Sequence, residues 1–304
     1  MQDVDMLKSQ NKWDQAIAML KDARTSMRPF LPQIEEKLNH LLRLREEAFS
    51  LYQHMVEEAK GLKAQGRVVA AVKRLCLARR YFPDQGDVDL LLKEIKEGLL
   101  GEMVRVPGSE CILGPDGRKV KIPTFYIDRY EVTNAQYAVF VLLSGYRAPP
   151  HWQDGKMPKG LQRYPVVRVS FEDACRFAEW AGKRLPTEEE WEKAARYVDG
   201  RIYPWGNNFP KDVNKIPCNS LEYNRGVLLP VGSFPGGQSP YGVYDMAGNV
   251  WEWTSTKVSD AEGEFRILKG GCFMTPERAA RSYNRLKESP GLKLPYVGFR
   301  CVKD

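Results

Sequence analysis

Asp245 and Glu252 stand seven residues apart in the stretch Tyr241-Gly-Val-Tyr-Asp-Met-Ala-Gly-Asn-Val-Trp-Glu-Trp-Thr254, with the pair Gly248 and Asn249 between them. Two carboxylates at that spacing, together with the backbone carbonyls of Gly248 and Val250, supply four hard oxygen ligands, a set that suits calcium and not zinc or copper. A second reading needs no metal. Asp245 then caps backbone amides in a tight turn and Glu252 pairs with an arginine, since buried carboxylates are commonly held by hydrogen bonds or opposite charge. The rings around them, Tyr241, Tyr244, Trp251 and Trp253, bury large apolar areas. On either reading the two acids need partners.

Other metal chemistry is poorly supplied. The histidines, His40, His54 and His151, share no ligand spacing, so a zinc or non-haem iron site is not expected. The six cysteines, Cys76, Cys111, Cys175, Cys218, Cys272 and Cys301, form no CxxC pair, which excludes a zinc knuckle and gives no disulfide framework. A reducing, cytoplasmic setting is the simpler expectation. The chain lacks a basic-then-apolar leader and any apolar run near the ~20 residues that span a bilayer, so no membrane partner is expected. The net charge of +7 is spread, with 17 Lys+Arg against 15 Asp+Glu in residues 1–100 and 29 against 24 in the remainder. A nucleic-acid partner is not expected from such a distribution.

The elements that must position these groups fall into two textures. Residues 1–100 read as a helical domain: Trp13, Ala16, Ile17, Leu20 and Ala23 recur at helical intervals, and Pro29 and Pro32 interrupt them. Ile34, Leu38, Leu41, Leu42, Leu44 and Ala48 share a face that continues through Tyr52, Val56 and Ala59, while Gly61 and Gly66 weaken the pattern before Val69, Val72, Leu75, Cys76 and Arg79. The segment Leu62…Gly66…Ala70…Leu75…Ala78…Pro83 is similar to a tetratricopeptide helical hairpin, with Trp13 to Ala23 as a more degenerate copy. A plain helical bundle fits the same periodicity.

Residues 101–304 are rich in glycine, proline and aromatics. Met103 to Gly108, Lys119 to Ile122 and Thr124 to Asp128 read as short strands. Three helices announce their starts by capping boxes: Thr133 with Gln136, Ser170 with Asp173, and Thr187 with Glu190.

Several motifs follow one another in a known order: Phe125-Tyr-Ile-Asp-Arg-Tyr-Glu-Val-Thr-Asn134, Val169-Ser170, Trp180-Ala-Gly-Lys-Arg-Leu-Pro-Thr-Glu-Glu-Glu-Trp191, Tyr203-Pro-Trp-Gly206, Val231-Gly-Ser-Phe-Pro235, the 241–254 stretch, Lys269-Gly-Gly271 and Gly298-Phe-Arg-Cys301. In these the chain resembles the formylglycine-generating enzyme family, also called sulfatase-modifying factors, over residues 102–302. The resemblance implies an α+β domain of C-type-lectin type, low in regular secondary structure, preceded by the helical domain. It implies a calcium held at Asp245, Gly248, Val250 and Glu252. A second family calcium site would lie near Asn219 and Asn224, where the loop is shortened and short of an acid.

Enzymes of this family bind copper through two cysteines to oxidise a substrate cysteine with dioxygen. The first position falls on Thr275, and the stretch carrying the second is missing between Met274 and Ala279. A copper(I) site wants two soft thiolates, so no copper is expected. Family disulfide positions fall on Ala178, Ala195 and Arg278, with Cys301 retained. Cys175 lies one turn before Ala178, which makes a Cys175–Cys301 bridge conceivable.

Two functions remain open. One is a non-catalytic module binding a protein or small ligand through Arg281, Tyr283, Asn284, Arg285 and Tyr296, residue types enriched at interaction hot spots. Catalytically empty domains of this family occur in bacterial proteins linked to Ser/Thr kinases and in retroelement-diversified ligand binders. The other is an oxidoreductase, copper- and oxygen-dependent or with altered chemistry at Cys272. An ergothioneine-pathway oxygenase shares the implied fold but needs more histidines than the chain has.

Overall fold

The computed structural model describes residues 2–27, 30–83, 85–224 and 226–304, and the side chains of Gln2 and Asn224 lie outside the described set. The chain divides into two compact units, residues 1–99 and 100–304.

Apolar spacing builds the first unit. Its helices are α1 (Gln2–Ser9), α2 (Trp13–Ser26), α3 (Leu31–Ala64), α4 (Val68–Tyr81) and α5 (Gly86–Leu99), each packed on the next. Trp13, Ala16, Ile17 and Leu20 of α2 are buried, as are Ile34, Leu38 and Leu41 of α3. Leu42 lies about 100° further round that helix and is 40% exposed, so it leaves the face that the sequence pattern assigned to it. Pro32 occupies the first turn of α3, where a proline costs nothing because its missing N–H has no helical partner. Pro29 lies outside the described residues. Gly61 is inside α3 and does not break it, whereas Gly66 has a φ of +71° in the α3–α4 turn. Phe49, Tyr52 and Phe82 join ring to ring at 5.4–5.8 Å. The single 34-residue α3 serves the hairpins on both sides.

In the second unit, β1 (Met103–Val106), β4 (Phe125–Asp128) and β9 (Val302–Lys303) form one antiparallel sheet, and β2 (Ser109–Leu113) pairs with β3 (Arg118–Ile122). A four-stranded sheet has the order β7 (Arg285–Glu288), β6 (Gly263–Lys269), β5 (Trp251–Asp260), β8 (Val297–Gly298). Helices α6 (Asn134–Ser144), α7 (Phe171–Trp180), α8 (Glu188–Arg196) and α9 (Leu221–Asn224) complete it. All three expected capping boxes are formed. The core of β1, β2, β4 and α8 gathers Val106, Leu113, Phe125, Ile127, Trp191, Val243 and Met246. Cys175 and Cys301 are both free thiols. Among the described residues no helix is long and apolar enough to cross a membrane.

Candidate functional site

Strand β5 begins at Trp251 and carries Glu252 into the interior, where both the acid and Arg300 are fully buried. The Arg300 guanidinium meets the carboxylate as a fork: Nε donates to Oε2 at 2.7 Å and Nη2 to Oε1 at 2.7 Å. Trp191 of α8 donates its indole N–H to Oε2 at 2.8 Å. The remaining guanidinium donors reach the carbonyls of Tyr244, Asp128 and Arg129. Burial works against the Arg300 charge, but Glu252 more than offsets it and the guanidinium stays firmly protonated. The group is a clasp joining α8, β5, the end of β4 and the segment before β9, and it matches the ion-pair reading of Glu252.

Asp245 sits at φ +56° and accepts the Gly232 N–H at 2.6 Å, a backbone cap. Its carboxyl also lies beside that of Glu131. Burial drives Glu131 well above the usual carboxylate range, and Asp245 adds to the shift. Burial likewise raises Asp245. Asn249 donates to Glu131 Oε1 at 2.9 Å and accepts from Asn219 at 3.0 Å. Asn219 Oδ1 is buried without a hydrogen-bond partner and no N–H donor reaches Glu131 Oε2, so the raised Glu131 carboxyl is left to share its proton with Asp245. Gly248 closes this cluster: its φ is +79°, and a Cβ there would stand 2.3 Å from the Asn219 carbonyl oxygen. The fit to calcium is therefore divided. Two adjoining buried acids suit either a shared proton or a hard cation, while both Glu252 oxygens are already spent on Arg300 and Trp191. Of the second expected site, Asn219 is engaged with Val227 and Asn249, and the Asn224 side chain lies outside the described residues.

Thr275 is part of a closed turn. Its hydroxyl accepts the Cys272 N–H at 2.8 Å and donates to the Cys272 carbonyl at 2.9 Å. Cys272 is 1% exposed, and burial raises its thiol. One protonated, enclosed thiol beside a committed hydroxyl does not fit copper(I). Gly271 permits the turn: at φ +75° a Cβ would lie 2.9 Å from the Ala279 carbonyl oxygen.

Each of the five residues expected to bind ligand makes contacts within the fold. Arg285 pairs with Glu188 at 3.4 Å, and Asn284 donates to the Arg278 carbonyl. Arg281 reaches the Tyr283 hydroxyl at 3.5 Å, and its Nε is buried without a partner. Tyr283 lies beneath Arg196, 5.2 Å from ring centroid to guanidinium carbon. Tyr296 gives its carbonyl to Trp251 N–H. Glu131 and Arg300, within the 125–134 and 298–301 motifs, are the site residues that spacing around Asp245 and Glu252 does not reveal.

Residues 90–304 match the sulfatase-modifying factor enzyme 1-like domain. A Bos taurus protein named inactive C-alpha-formylglycine-generating enzyme 2 is 33% identical over 272 residues, covering 69% of this chain and 90% of its own length. Proteins named formylglycine-generating enzyme match as well. A Chlamydia pneumoniae protein named serine/threonine-protein kinase pkn1 is 28% identical over 349 residues, which cover 99% of this chain and 53% of that protein. Among solved structures, PvdO from Pseudomonas aeruginosa superposes with a TM-score of 0.56 at 25% identity, over 67% of this chain and 94% of that one.

Proposed function

The chain belongs to the sulfatase-modifying factor enzyme 1-like family, and from that premise we propose that it is a non-catalytic member, a binding module in a kinase-linked system. The turn at Thr275 carries this reading. The position that the family resemblance gives to a copper-binding cysteine holds a hydroxyl already bonded twice to Cys272, and the loop for the second cysteine is missing. The relative named as a kinase supports the rest, because it aligns with both units of this chain. The chain itself contains neither H-R-D nor D-F-G, the sequences that mark a kinase catalytic centre. The helices of the first unit, read as tetratricopeptide-like hairpins, would then offer a second protein-binding surface. An anaerobic copper(I) titration against a chromophoric chelator tests the reading. The protein should leave the metal with the chelator, and one equivalent of bound copper that is lost in Cys272→Ser would overturn it.

The adjoining buried carboxyls of Glu131 and Asp245 favour a second, compatible reading in which a structural calcium is held by Asp245 and the Gly248 and Val250 carbonyls. Among the described residues no three carboxylates converge on one metal position, so Glu131 would join as the second acidic ligand while Glu252 stays with Arg300. Calcium at about 100 times its dissociation constant would stabilise the second unit by about 2.7 kcal/mol. A melting temperature unmoved by calcium or by chelator would end this reading.

A further inference from the structure

Two runs that mix proline with an aromatic residue, Tyr203-Pro-Trp-Gly206 and Ser239-Pro-Tyr-Gly242, line a shallow cleft of about 580 Å³ in the second unit. That volume lies in the range of small-ligand sites. Trp205 is rigid where it meets the cleft. Its ring lies 5.1 Å from that of Tyr203 at an interplanar angle of 3°, and its indole N–H donates to the Asn208 carbonyl at 3.0 Å. Tyr241 is braced by Tyr197, ring centroids 5.0 Å apart, and the Arg201 guanidinium carbon lies 5.7 Å from the Tyr197 ring centroid. Tyr197 itself adopts φ +61° and ψ −151°, a region that glycine enters freely and side-chain-bearing residues rarely do. A strained residue whose ring supports a cleft wall is a feature of ligand clamps.

The charges at the cleft cancel. Arg201 donates to both Asp199 oxygens, at 3.0 and 2.7 Å, and is the one Asp, Glu, Lys, Arg or His among the lining residues. Arg129 approaches at Gly242, 4.0 Å from where a Cβ would stand, and is paired with Glu102 at 3.0 Å. A phosphate, sulfate or carboxylate would therefore meet no unpaired cation here. An apolar peptide fits poorly as well, because the indole N–H that could hold a peptide carbonyl is spent on Asn208. What the cleft offers is aromatic surface beside uncommitted polar groups, the Gln238 amide and the Tyr241 hydroxyl. An amide supplies two donors and an acceptor, and a phenol one donor and an acceptor. A sugar ring matches that combination: its C–H face packs on aromatic carbon while its hydroxyls both give and accept hydrogen bonds.

We propose that this cleft binds an uncharged saccharide, with its C–H face on Trp205 and Tyr241 and its hydroxyls on Gln238 and the Tyr241 phenol. The proposal rests on the binding-module reading and names its ligand class. The full chain is applied to an array of neutral oligosaccharides of glucose, galactose, mannose and N-acetylglucosamine, with sulfated and sialylated counterparts, and the best-retained compound is titrated by calorimetry. Neutral compounds should be retained, and added sulfate or sialic acid should not strengthen them. Gln238 is exposed, so Gln238→Ala should keep its fold and weaken binding by about fivefold or more. Tyr197→Gly should weaken binding by a similar factor while melting at or above the parent, because glycine relieves the backbone. A residue with a merely structural role would lose stability instead. Affinity unchanged in both variants would overturn this cleft while leaving a binding role elsewhere, and retention of charged compounds alone, or of none, would overturn it too. A melting temperature lowered in Tyr197→Gly would overturn the clamp. Copper-dependent turnover with saccharide binding intact would instead overturn the non-catalytic reading alone.

Discussion

Replacing Arg300 by methionine should be among the most damaging single changes in the second unit. Arg300 and Glu252 have side chains that are 0% exposed, so the variant leaves a carboxylate in the interior with only the Trp191 N–H at 2.8 Å. The carbonyl of Tyr244 loses a donor at 2.9 Å in the same step. Removing one partner of a buried ion pair costs about 3–5 kcal/mol. In a unit of this size each kcal/mol moves the melting temperature by about 2–4 °C, so a fall of about 6–20 °C is expected. Tryptophan emission is a suitable assay, because every tryptophan except Trp13 lies in residues 100–304. The double variant Glu252→Leu with Arg300→Met removes both charges and should regain much of the loss, as buried pairs replaced by apolar groups of similar volume often cost little. A single variant melting within about 2 °C of the parent, or a double variant melting below the single one, would refute the reasoning.

Gly248→Ala should destabilise strongly, because the added carbon meets the Asn219 carbonyl oxygen at 2.3 Å in a backbone of φ +79°; the expected loss is about 2–4 kcal/mol, read by urea unfolding. Asp173 carries an acid-sensitive share of the stability. Burial alone would raise its carboxyl, but Lys293, the Ser170 N–H and Arg147 outweigh it and hold the group at about 2 against an ordinary 3.8. A depressed folded value means that the contribution is present above about pH 4 and lost as pH falls from there towards 2. Asp173→Asn should therefore flatten the melting-temperature profile over that range, with a loss on the order of 1–2 kcal/mol at neutral pH; an unchanged acid limb would contradict this.

What the sequence discloses is local chemistry. The pairs Thr133 with Gln136, Ser170 with Asp173 and Thr187 with Glu190 bond to each other's backbone within one turn, so three-residue spacing suffices to place α6, α7 and α8. The arginine for Glu252 could be expected as a residue type, but its identity could not be read, because Arg300 is 48 residues away and reaches the acid only through the sheet. Glu131 escaped for the same reason: it lies 118 residues from Asn249, its hydrogen-bond donor. Helix α8 shows another limit. Glu192 and Lys193 are charged yet buried. Lys193 takes up the carbonyls of Pro107 and Ile122 at 2.7 and 3.1 Å, and Glu192 joins Arg196 and Lys269 at 2.7 and 3.0 Å. Residue type alone places such groups at the surface. The ten-residue β5 was hidden because Trp251, Glu252, Trp253 and Thr254 are all buried, which erases the alternation of a half-exposed strand.

In the proposed non-catalytic role, the closed turn of Thr275 with Cys272 stands where the family's enzymes would hold a copper-binding cysteine. Incubation of the full chain with copper(I), dioxygen and a sulfatase-type cysteine peptide, followed by mass spectrometry of the peptide, tests it most directly. The peptide should return with its thiol unconverted to an aldehyde, and formylglycine that accumulates with the parent but not with Cys272→Ser would contradict the claim.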